Sequence, residues 1–147
     1  MLLRNALSVL IVEDDPLVAL DEAEIVESFG YEVAGVADEA AETYRLAERR
    51  LPNVVLLDVN LADGRTGPAI CARLIEVYGV AVVFVTGNPE LLPANFAGAL
   101  GYITKPYAPH TLGAALSFVR RHVIEGLDVE PPSGLRPNPT LSPLSYH

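Results

Sequence analysis

One lysine and two groups of acidic residues lie where they could act together on a phosphoryl group. Lys105 is the only lysine in the chain, and it directly follows a short apolar run, Gly101–Thr104. Two earlier apolar runs end in acids, the first in Glu13, Asp14 and Asp15 and the second in Asp58. Carboxylate oxygens are ligands that Mg²⁺ accepts, and an ammonium can neutralise a phosphoryl oxygen. These residue types predict a site for a divalent cation and a phosphoryl group.

The elements that carry these residues alternate between apolar runs and amphipathic stretches, which is the pattern of a doubly wound α/β fold with a parallel sheet. We predict strands at Ser8–Glu13, Tyr31–Val36, Val54–Asp58, Val80–Thr86 and Gly101–Thr104. We predict helices after Asp15, from an Asp38 cap to Arg50, from Pro68 to Tyr78 and from Pro109 to Ile124. Because parallel strands end at one edge of their sheet, where ligands bind, the acids and the lysine are expected to meet there.

Local signals mark the helix ends and identify one weak helix. Asp15 followed by Pro16 is an N-cap with proline at the first helical position, and Gly30 is placed to end that helix. A fourth helix within residues 90–100 contains Pro93 and Gly98, which both lower helix propensity. We therefore expect this helix to be short or mobile.

Asp58 has the surroundings of a nucleophile. Crowded carboxylates raise at least one pKa unless a cation neutralises them, and Mg²⁺ takes only one or two carboxylates directly. Asp58 would then be free to form an aspartyl phosphate. Thr86 ends the fourth strand beside Gly87, so its hydroxyl could donate to a phosphoryl oxygen while Lys105 neutralises another.

Together these segments resemble the receiver domain of two-component response regulators. The matching segments are Val9–Pro16, Val55–Asp58, Phe84–Gly87 and Tyr102–Tyr107, which occur in the family's order within roughly residues 7–125. The resemblance implies a flavodoxin-like (βα)5 sandwich with a five-stranded parallel sheet in the order 2-1-3-4-5.

The resemblance also implies a phosphorylation site and a metal site. Asp58 corresponds to the phosphoacceptor, and Asp14 and Asp15 correspond to acidic metal-site residues. Asp15 would be a direct Mg²⁺ ligand, and Asp14 would act directly or through water. The backbone carbonyl of Asn60 would complete the site with Asp58, while Glu13 would support the cluster or end the strand.

Further residues take switch and rate-tuning roles by the same resemblance. Thr86 matches the switch hydroxyl, Lys105 the phosphate-binding lysine and Tyr102 the switch aromatic. Asn60 and Asn88 occupy positions that tune how quickly the acyl phosphate hydrolyses.

The implied function is a phosphorelay switch. A histidine kinase or histidine phosphotransferase would donate to Asp58 with Mg²⁺, and the signal would pass on by protein contact or onward phosphotransfer. The protein would be no enzyme beyond its own phosphorylation and dephosphorylation, and a homodimer is among the assemblies that the resemblance allows. The family's usual Met-Pro after the acceptor is replaced by Leu61-Ala62, which resembles a subgroup found in alphaproteobacterial signalling.

Composition narrows the partners and the compartment. The net charge of −9 and the pI of about 4.6 argue against binding to nucleic acid or an anionic membrane. A single cysteine, Cys71, excludes an intrachain disulfide and fits a reducing compartment. No apolar run is long enough to span a bilayer, and the apolar N-terminus fits a buried first strand better than a signal peptide. We therefore expect a cytoplasmic protein.

The composition changes after Gly126, where proline becomes frequent. We predict a receiver domain over residues 1–126 and a proline-rich tail over residues 127–147, with no separate output domain. The tail composition favours a flexible segment; a polyproline ligand for a partner and packing on the domain itself are the alternatives.

Two other functions fit part of the pattern. A Mg²⁺-dependent phosphohydrolase of the haloacid-dehalogenase type also uses an aspartyl nucleophile, but places it on the first strand. A receiver-like scaffold that works without phosphate is the second alternative, and the poor fourth helix supports it. A nucleotide-binding module is disfavoured because no glycine-rich loop precedes a helix.

Overall fold

A computed structural model describes residues 7–141, which form one sheet with helices on both faces. The strands are β1 Ser8–Val12, β2 Glu32–Ala37, β3 Val54–Leu57, β4 Ala81–Thr86, β5 Gly101–Thr104 and β6 Arg136–Pro137. The helices are α1 Pro16–Ser28, α2 Ala40–Arg49, α3 Gly67–Arg73 and α4 Pro109–Val119. Helices α3 and α4 continue as π-helical turns, Leu74–Tyr78 and Arg120–Ile124.

The strand order is β2-β1-β3-β4-β5-β6, and the first five strands run parallel. This confirms the predicted flavodoxin-like fold and its 2-1-3-4-5 order. The register pairs Val12 with Leu57 and Leu57 with Phe84, so β1 and β3 end level and β4 continues two residues further, to Thr86. Residues that follow these strands therefore start from one edge of the sheet.

The sheet buries both faces, as the continuous apolar runs predict. In β1, Val9 and Ile11 pack with α1 and α4, whereas Leu10 and Val12 pack with α2 and α3. This alternation follows from the two-residue period of a strand. Each fully buried aliphatic side chain contributes about 1.5–3 kcal/mol to folding. The two core layers therefore determine which strand side chains face α1 and α4 and which face α2 and α3.

Local structure differs from the sequence prediction at the start of α2 and agrees with it at the weak fourth helix. The cap of α2 is Glu39, whose side chain accepts a hydrogen bond from the Glu42 N–H at 2.6 Å, so the prediction that Asp38 caps this helix is wrong by one residue. Residues 90–100 contain little helix, as predicted: the whole 3₁₀ turn Phe96–Gly98 and the last two residues of the 3₁₀ turn Pro89–Leu91.

The segment predicted to be a flexible tail is instead partly built into the fold. β6 pairs antiparallel with β5, where Pro137 lies opposite Gly101 and Arg136 opposite Tyr102. Leu135 is 2% exposed and belongs to the core layer that contains α1 and α4. The flexible-tail prediction is therefore wrong around β6. Proline suits this edge strand because it has no backbone N–H to donate to the ladder. Residues 142–147 of the predicted tail lie outside the described residues.

Replacing Leu135 with alanine tests whether this segment stabilises the domain. Because Leu135 is almost fully buried, we expect Leu135→Ala to lower the free energy of unfolding by about 2–4 kcal/mol. Leu17→Ala is the matched control, since Leu17 is 76% exposed and its loss should change little. Urea unfolding of both variants measures this, and equal stabilities would contradict the packing of the segment on the core.

Candidate functional site

The sheet ladder extends one residue past three strand ends and carries the charged residues with it. The backbone N–H of Glu13 donates to Ala37, that of Asp58 donates to Val12 and that of Lys105 donates to Thr86, at 2.9, 3.1 and 3.0 Å. Each of the three charged residues follows by two positions a core residue on the α1 and α4 side, namely Ile11, Leu56 and Ile103. The strand period therefore brings all three side chains to one face.

The Lys105 ammonium connects two carboxylates at this edge. Its Nζ donates to Asp58 Oδ2 at 2.7 Å and also contacts Glu13 Oε1. The side chains of Glu13, Asp58 and Lys105 are 3%, 12% and 21% exposed. Carboxylates this close in partial burial require a cation, so removal of the ammonium would leave buried charge uncompensated.

Burial and pairing have opposite effects on the ionisation of this cluster. Burial lowers the pKa of Lys105, but its hydrogen bonds to Asp58 and Glu13 and their negative charges outweigh burial and raise that pKa. Burial raises the pKa of Glu13 more than Lys105 lowers it. The lysine therefore stays charged, and Glu13 is the group whose proton is held more tightly than usual.

The backbone around Asp58 is fixed by a close approach of the following loop. Asp58 Oδ1 accepts a hydrogen bond from the Val59 N–H at 2.7 Å, and the Gly67 N–H donates to the Val59 carbonyl at 3.0 Å. A β-carbon at Gly67 would lie 2.2 Å from the Asp58 carbonyl oxygen. Only glycine fits at this contact, so the loop from Val59 to Thr66 folds back against the candidate nucleophile.

Thr86 and Tyr102 lie with the opposite core layer, on the α2 and α3 side. Thr86 is fully buried, and its Oγ1 accepts a hydrogen bond from the Asn88 N–H at 3.0 Å. The Tyr102 ring is half-buried and meets the Phe96 ring edge to face at 5.4 Å. The predicted switch residues therefore lie across the sheet from the charged cluster.

The two predicted rate-tuning residues contact each other. Asn60 Nδ2 donates to Asn88 Oδ1 at 3.3 Å, and both side chains are exposed. This contact joins the loop after β3 to the loop after β4. Between them, a β-carbon added at Gly87 would meet nothing within 4 Å, so there is open space beside Thr86.

The three acids at the end of β1 have different environments, and Asp15 takes the N-cap position predicted for it. Asp15 is exposed, and its Oδ1 accepts hydrogen bonds from the N–H groups of Leu17 and Val18 at 2.9 and 3.4 Å, so its carboxylate caps α1. Asp14 is exposed, whereas Glu13 contacts Lys105. Only a supporting role is predicted for Glu13. Its position two residues after the buried Ile11 is the sequence signal that places it in the site.

The oxygen-only donors at this edge suit a hard divalent cation. Glu13 and Asp58 already share one positive charge, the lysine ammonium, between their carboxylates. Mg²⁺ prefers such ligands and retains several of its waters. Within residues 7–141 no group of three or more His, Cys, Asp and Glu side chains is arranged to hold a metal ion. The donor chemistry therefore fits Mg²⁺, and binding would require Lys105 or nearby carboxylates to shift.

A second acid lies buried behind the charged cluster. Glu22 of α1 is 2% exposed, and burial raises its pKa from 4.5 to about 8, with the negative charge of Glu13 acting in the same direction. Positive charge on Lys105 partly opposes this rise. Glu22 is therefore largely protonated at neutral pH, which limits the negative charge behind the site.

Comparison with known proteins identifies the family. The sequence profile of the response regulator receiver domain matches residues 9–117, and the chain belongs to this family. It is 36% identical over 114 residues to the phyllosphere-induced regulator PhyR of Methylorubrum extorquens, covering 76% of this chain and 43% of that protein. It is 33% identical over 103 residues to the transcriptional regulatory protein PdtaR of Mycobacterium tuberculosis, covering 68% and 50%.

Solved structures agree with this assignment. The receiver domain of PhyR from Erythrobacter litoralis superposes with a TM-score of 0.70 at 29% identity, covering 78% of this chain and 89% of that one. PhyR from Brucella abortus gives a TM-score of 0.70 at 32% identity, covering 82% and 49%. This chain spans about half the length of the curated relatives it matches, and those relatives are regulators by name. The comparisons thus support signalling rather than the phosphohydrolase alternative.

Within residues 7–141 no helix has the length and apolar character needed to cross a membrane.

Replacing Glu22 with glutamine tests the buried acid through the pH dependence of stability. Because the folded-state pKa lies above the ordinary value, the stability linked to this proton is full below about pH 4.5 and is lost as the pH rises through about 8. We expect Glu22→Gln to gain on the wild type by about 2 kcal/mol between about pH 5 and about pH 7. Urea unfolding at both pH values measures the difference.

The exposed Glu24 on the same helix provides the control for this series. Glu24→Gln should keep the same stability difference from the wild type at both pH values. A Glu22→Gln difference that does not grow with pH would show that the carboxyl is not held protonated.

Proposed function

We propose that this protein is a phosphorylation switch in which Asp58 accepts a phosphoryl group from a histidine kinase or a histidine phosphotransferase. The observation that carries the proposal is the 2.7 Å hydrogen bond from the Lys105 ammonium to Asp58 at the carboxyl edge of the sheet. A carboxylate held at this edge is oriented, and a cation beside it can offset charge as phosphoryl transfer proceeds. Membership of the receiver family supports the same assignment.

In this proposal an Asp58 carboxylate oxygen attacks phosphorus in line. The O–P bond forms as the N–P bond of the donor phosphohistidine breaks, and the electron pair of that bond returns to the imidazole. Lys105 moves from bridging two carboxylates to contacting a phosphoryl oxygen. Its raised pKa keeps it charged throughout.

A divalent cation would be held by side chains that already lie at this edge. Glu13, Asp14 and Asp58 are the carboxylates we propose for Mg²⁺, with the backbone carbonyl of Asn60 as a further ligand. When bound, Mg²⁺ would neutralise the charge on the phosphoryl oxygens. Glu13 replaces Asp15 in this set because Asp15 is engaged at the N-terminus of α1.

The acyl phosphate then acts through Thr86 and Tyr102. A phosphoryl group brings about two negative charges and three acceptor oxygens to Asp58, which favours a Thr86 hydroxyl that donates towards it. Thr86 is buried beside Asn88, so this motion would release space near the half-buried Tyr102. The equilibrium between two arrangements of this face would shift accordingly.

We propose that the output is a protein contact or onward phosphotransfer, in the cytoplasm, with a homodimer as one assembly. The negative net charge and the regulators among the relatives support a protein partner. PhyR of Bartonella quintana is called an anti-anti-sigma factor, which is a function exerted through proteins.

Intact-mass measurement tests the phosphoacceptor. Incubation with acetyl phosphate and Mg²⁺ should add one phosphoryl group to the wild type and none to Asp58→Asn, because only the carboxylate can form the acyl phosphate. Asp21→Asn, at an exposed acid of α1, should label like the wild type. Labelling of Asp58→Asn, or of no protein when a known receiver is labelled in parallel, would contradict the proposal.

The three acids at the end of β1 separate the metal ligands from the helix cap. Glu13→Gln and Asp14→Asn should each slow Mg²⁺-dependent labelling by about 10-fold or more, since a ligand charge is lost. Asp15→Asn should label like the wild type because asparagine caps a helix as well as aspartate does. The labelling rate is measured across a Mg²⁺ titration, and a large loss in Asp15→Asn alone would restore Asp15 as the ligand.

A further inference from the structure

The segment from Pro131 to Leu141, here called the strap, holds the loop that replaces a fourth helix. Within the strap Asn138 is 2% exposed, and its side-chain amide donates to the backbone carbonyls of Asn95 and Ala99, both at 2.8 Å. Its backbone N–H donates to the carbonyl of Leu100 at 2.9 Å. One side chain and its own backbone therefore bind three carbonyls of the same loop.

The residues between those carbonyls are strained. Phe96 and Ala97 both have positive φ, at 50° and 51°, which residues with a β-carbon adopt rarely. Such a conformation persists only where surrounding contacts hold it. The amide of Asn138 binds the carbonyls of Asn95 and Ala99 on either side of this strained pair. The strap is thus one of the contacts that keep the loop in its unfavourable conformation.

The other end of the same loop lies at the candidate phosphorylation site. Asn88 near its start donates its N–H to the Thr86 hydroxyl oxygen, and Phe96 near its end packs against Tyr102. Tyr102 in turn pairs with Arg136 of the strap across β5 and β6. The loop therefore contacts both predicted switch residues, Thr86 and Tyr102, and also the strap.

Gly101 allows the strap to approach β5 closely. A β-carbon at this position would lie 2.3 Å from the Arg136 carbonyl oxygen, so any larger residue would push the strap away. On the strap, Leu135 is buried in the core beside this contact. The strap therefore packs at one specific position on β5 and the core, although only two of its residues pair with the sheet.

We propose that the strap is a latch on the strained loop, and that phosphorylation of Asp58 favours its release. This inference rests on the proposed function. A Thr86 hydroxyl that turns towards a phosphoryl group gives up its hydrogen bond from the Asn88 N–H, and a Tyr102 ring that moves loses its contact with the Phe96 ring. Both changes remove contacts that favour the latched loop. By thermodynamic reciprocity, weakening the latch favours the phosphorylated arrangement.

Two variants weaken the latch from different sides. Asn138→Ala removes the amide that binds two loop carbonyls, and Gly101→Ala forces the strap off β5 while leaving Asn138 intact. Ser133→Ala is the matched control, because Ser133 lies in the strap but is exposed. Protected amides in β1 would show that each variant is folded.

Hydrogen exchange and binding of beryllium fluoride, a non-covalent stand-in for a phosphoryl group, test the link. With Mg²⁺ and beryllium fluoride, the wild-type amide of Asn138, which donates to the Leu100 carbonyl, should exchange on the order of 10-fold faster, since this hydrogen bond is lost when the strap is released. Asn138→Ala and Gly101→Ala should bind beryllium fluoride about 10-fold more tightly than the wild type. Ser133→Ala should bind it like the wild type.

Other outcomes separate this inference from the proposed function. If beryllium fluoride binds and alters the Asn88 amide, but strap exchange and variant affinities stay unchanged, the latch is overturned and the phosphorylation switch stands. If the wild type takes up neither beryllium fluoride nor a phosphoryl group, the proposed function fails and the latch fails with it.

Discussion

The ammonium of Lys105 between the carboxylates of Asp58 and Glu13 is the interaction on which the site depends. Two acids at the ends of adjacent strands repel each other, and partial burial makes their charge costly. The ammonium of Lys105, which follows β5, relieves both. In the register of the parallel sheet β5 ends two residues beyond the level at which β1 and β3 end, and the long Lys105 side chain spans this offset to hold the Asp58 carboxylate.

The two faces of the sheet carry different residues of the proposed switch. The charged cluster lies on the α1 and α4 side, where a phosphoryl group would be received, and Thr86 and Tyr102 lie with the α2 and α3 layer. Chemistry at Asp58 can therefore reach the other face only at the strand ends. In the proposed switch the loop that begins at Gly87 provides that route, because it directly follows Thr86 and ends against the strap.

The parts of the fold that could be predicted are those marked by a pattern that repeats along the sequence. Apolar runs identified the five parallel strands, the charged residues that follow these runs identified Asp58 and Lys105, and the family resemblance supplied the strand order. Glu13 has a larger part in the site than the supporting role predicted for it. The two-residue period of β1 places its side chain on the same face as Ile11, and adjacency to Asp14 and Asp15 does not reveal this. β6 was not predictable from local pattern, since only two residues pair, one of them proline, with a partner more than thirty positions away. The strained turn at Phe96 likewise depends on tertiary contacts through Asn138.

Borohydride trapping tests the central claim most directly. An acyl phosphate on an aspartate is reduced to homoserine, which marks the residue that carried the phosphoryl group. After incubation with acetyl phosphate and Mg²⁺, reduction and peptide mass analysis, we expect homoserine at position 58 and at no other acid. Homoserine at Asp14 or Asp15 instead, 5-hydroxynorvaline (the reduced form of a glutamyl phosphate) at Glu13, or phosphorylated protein without homoserine at position 58 would contradict the account.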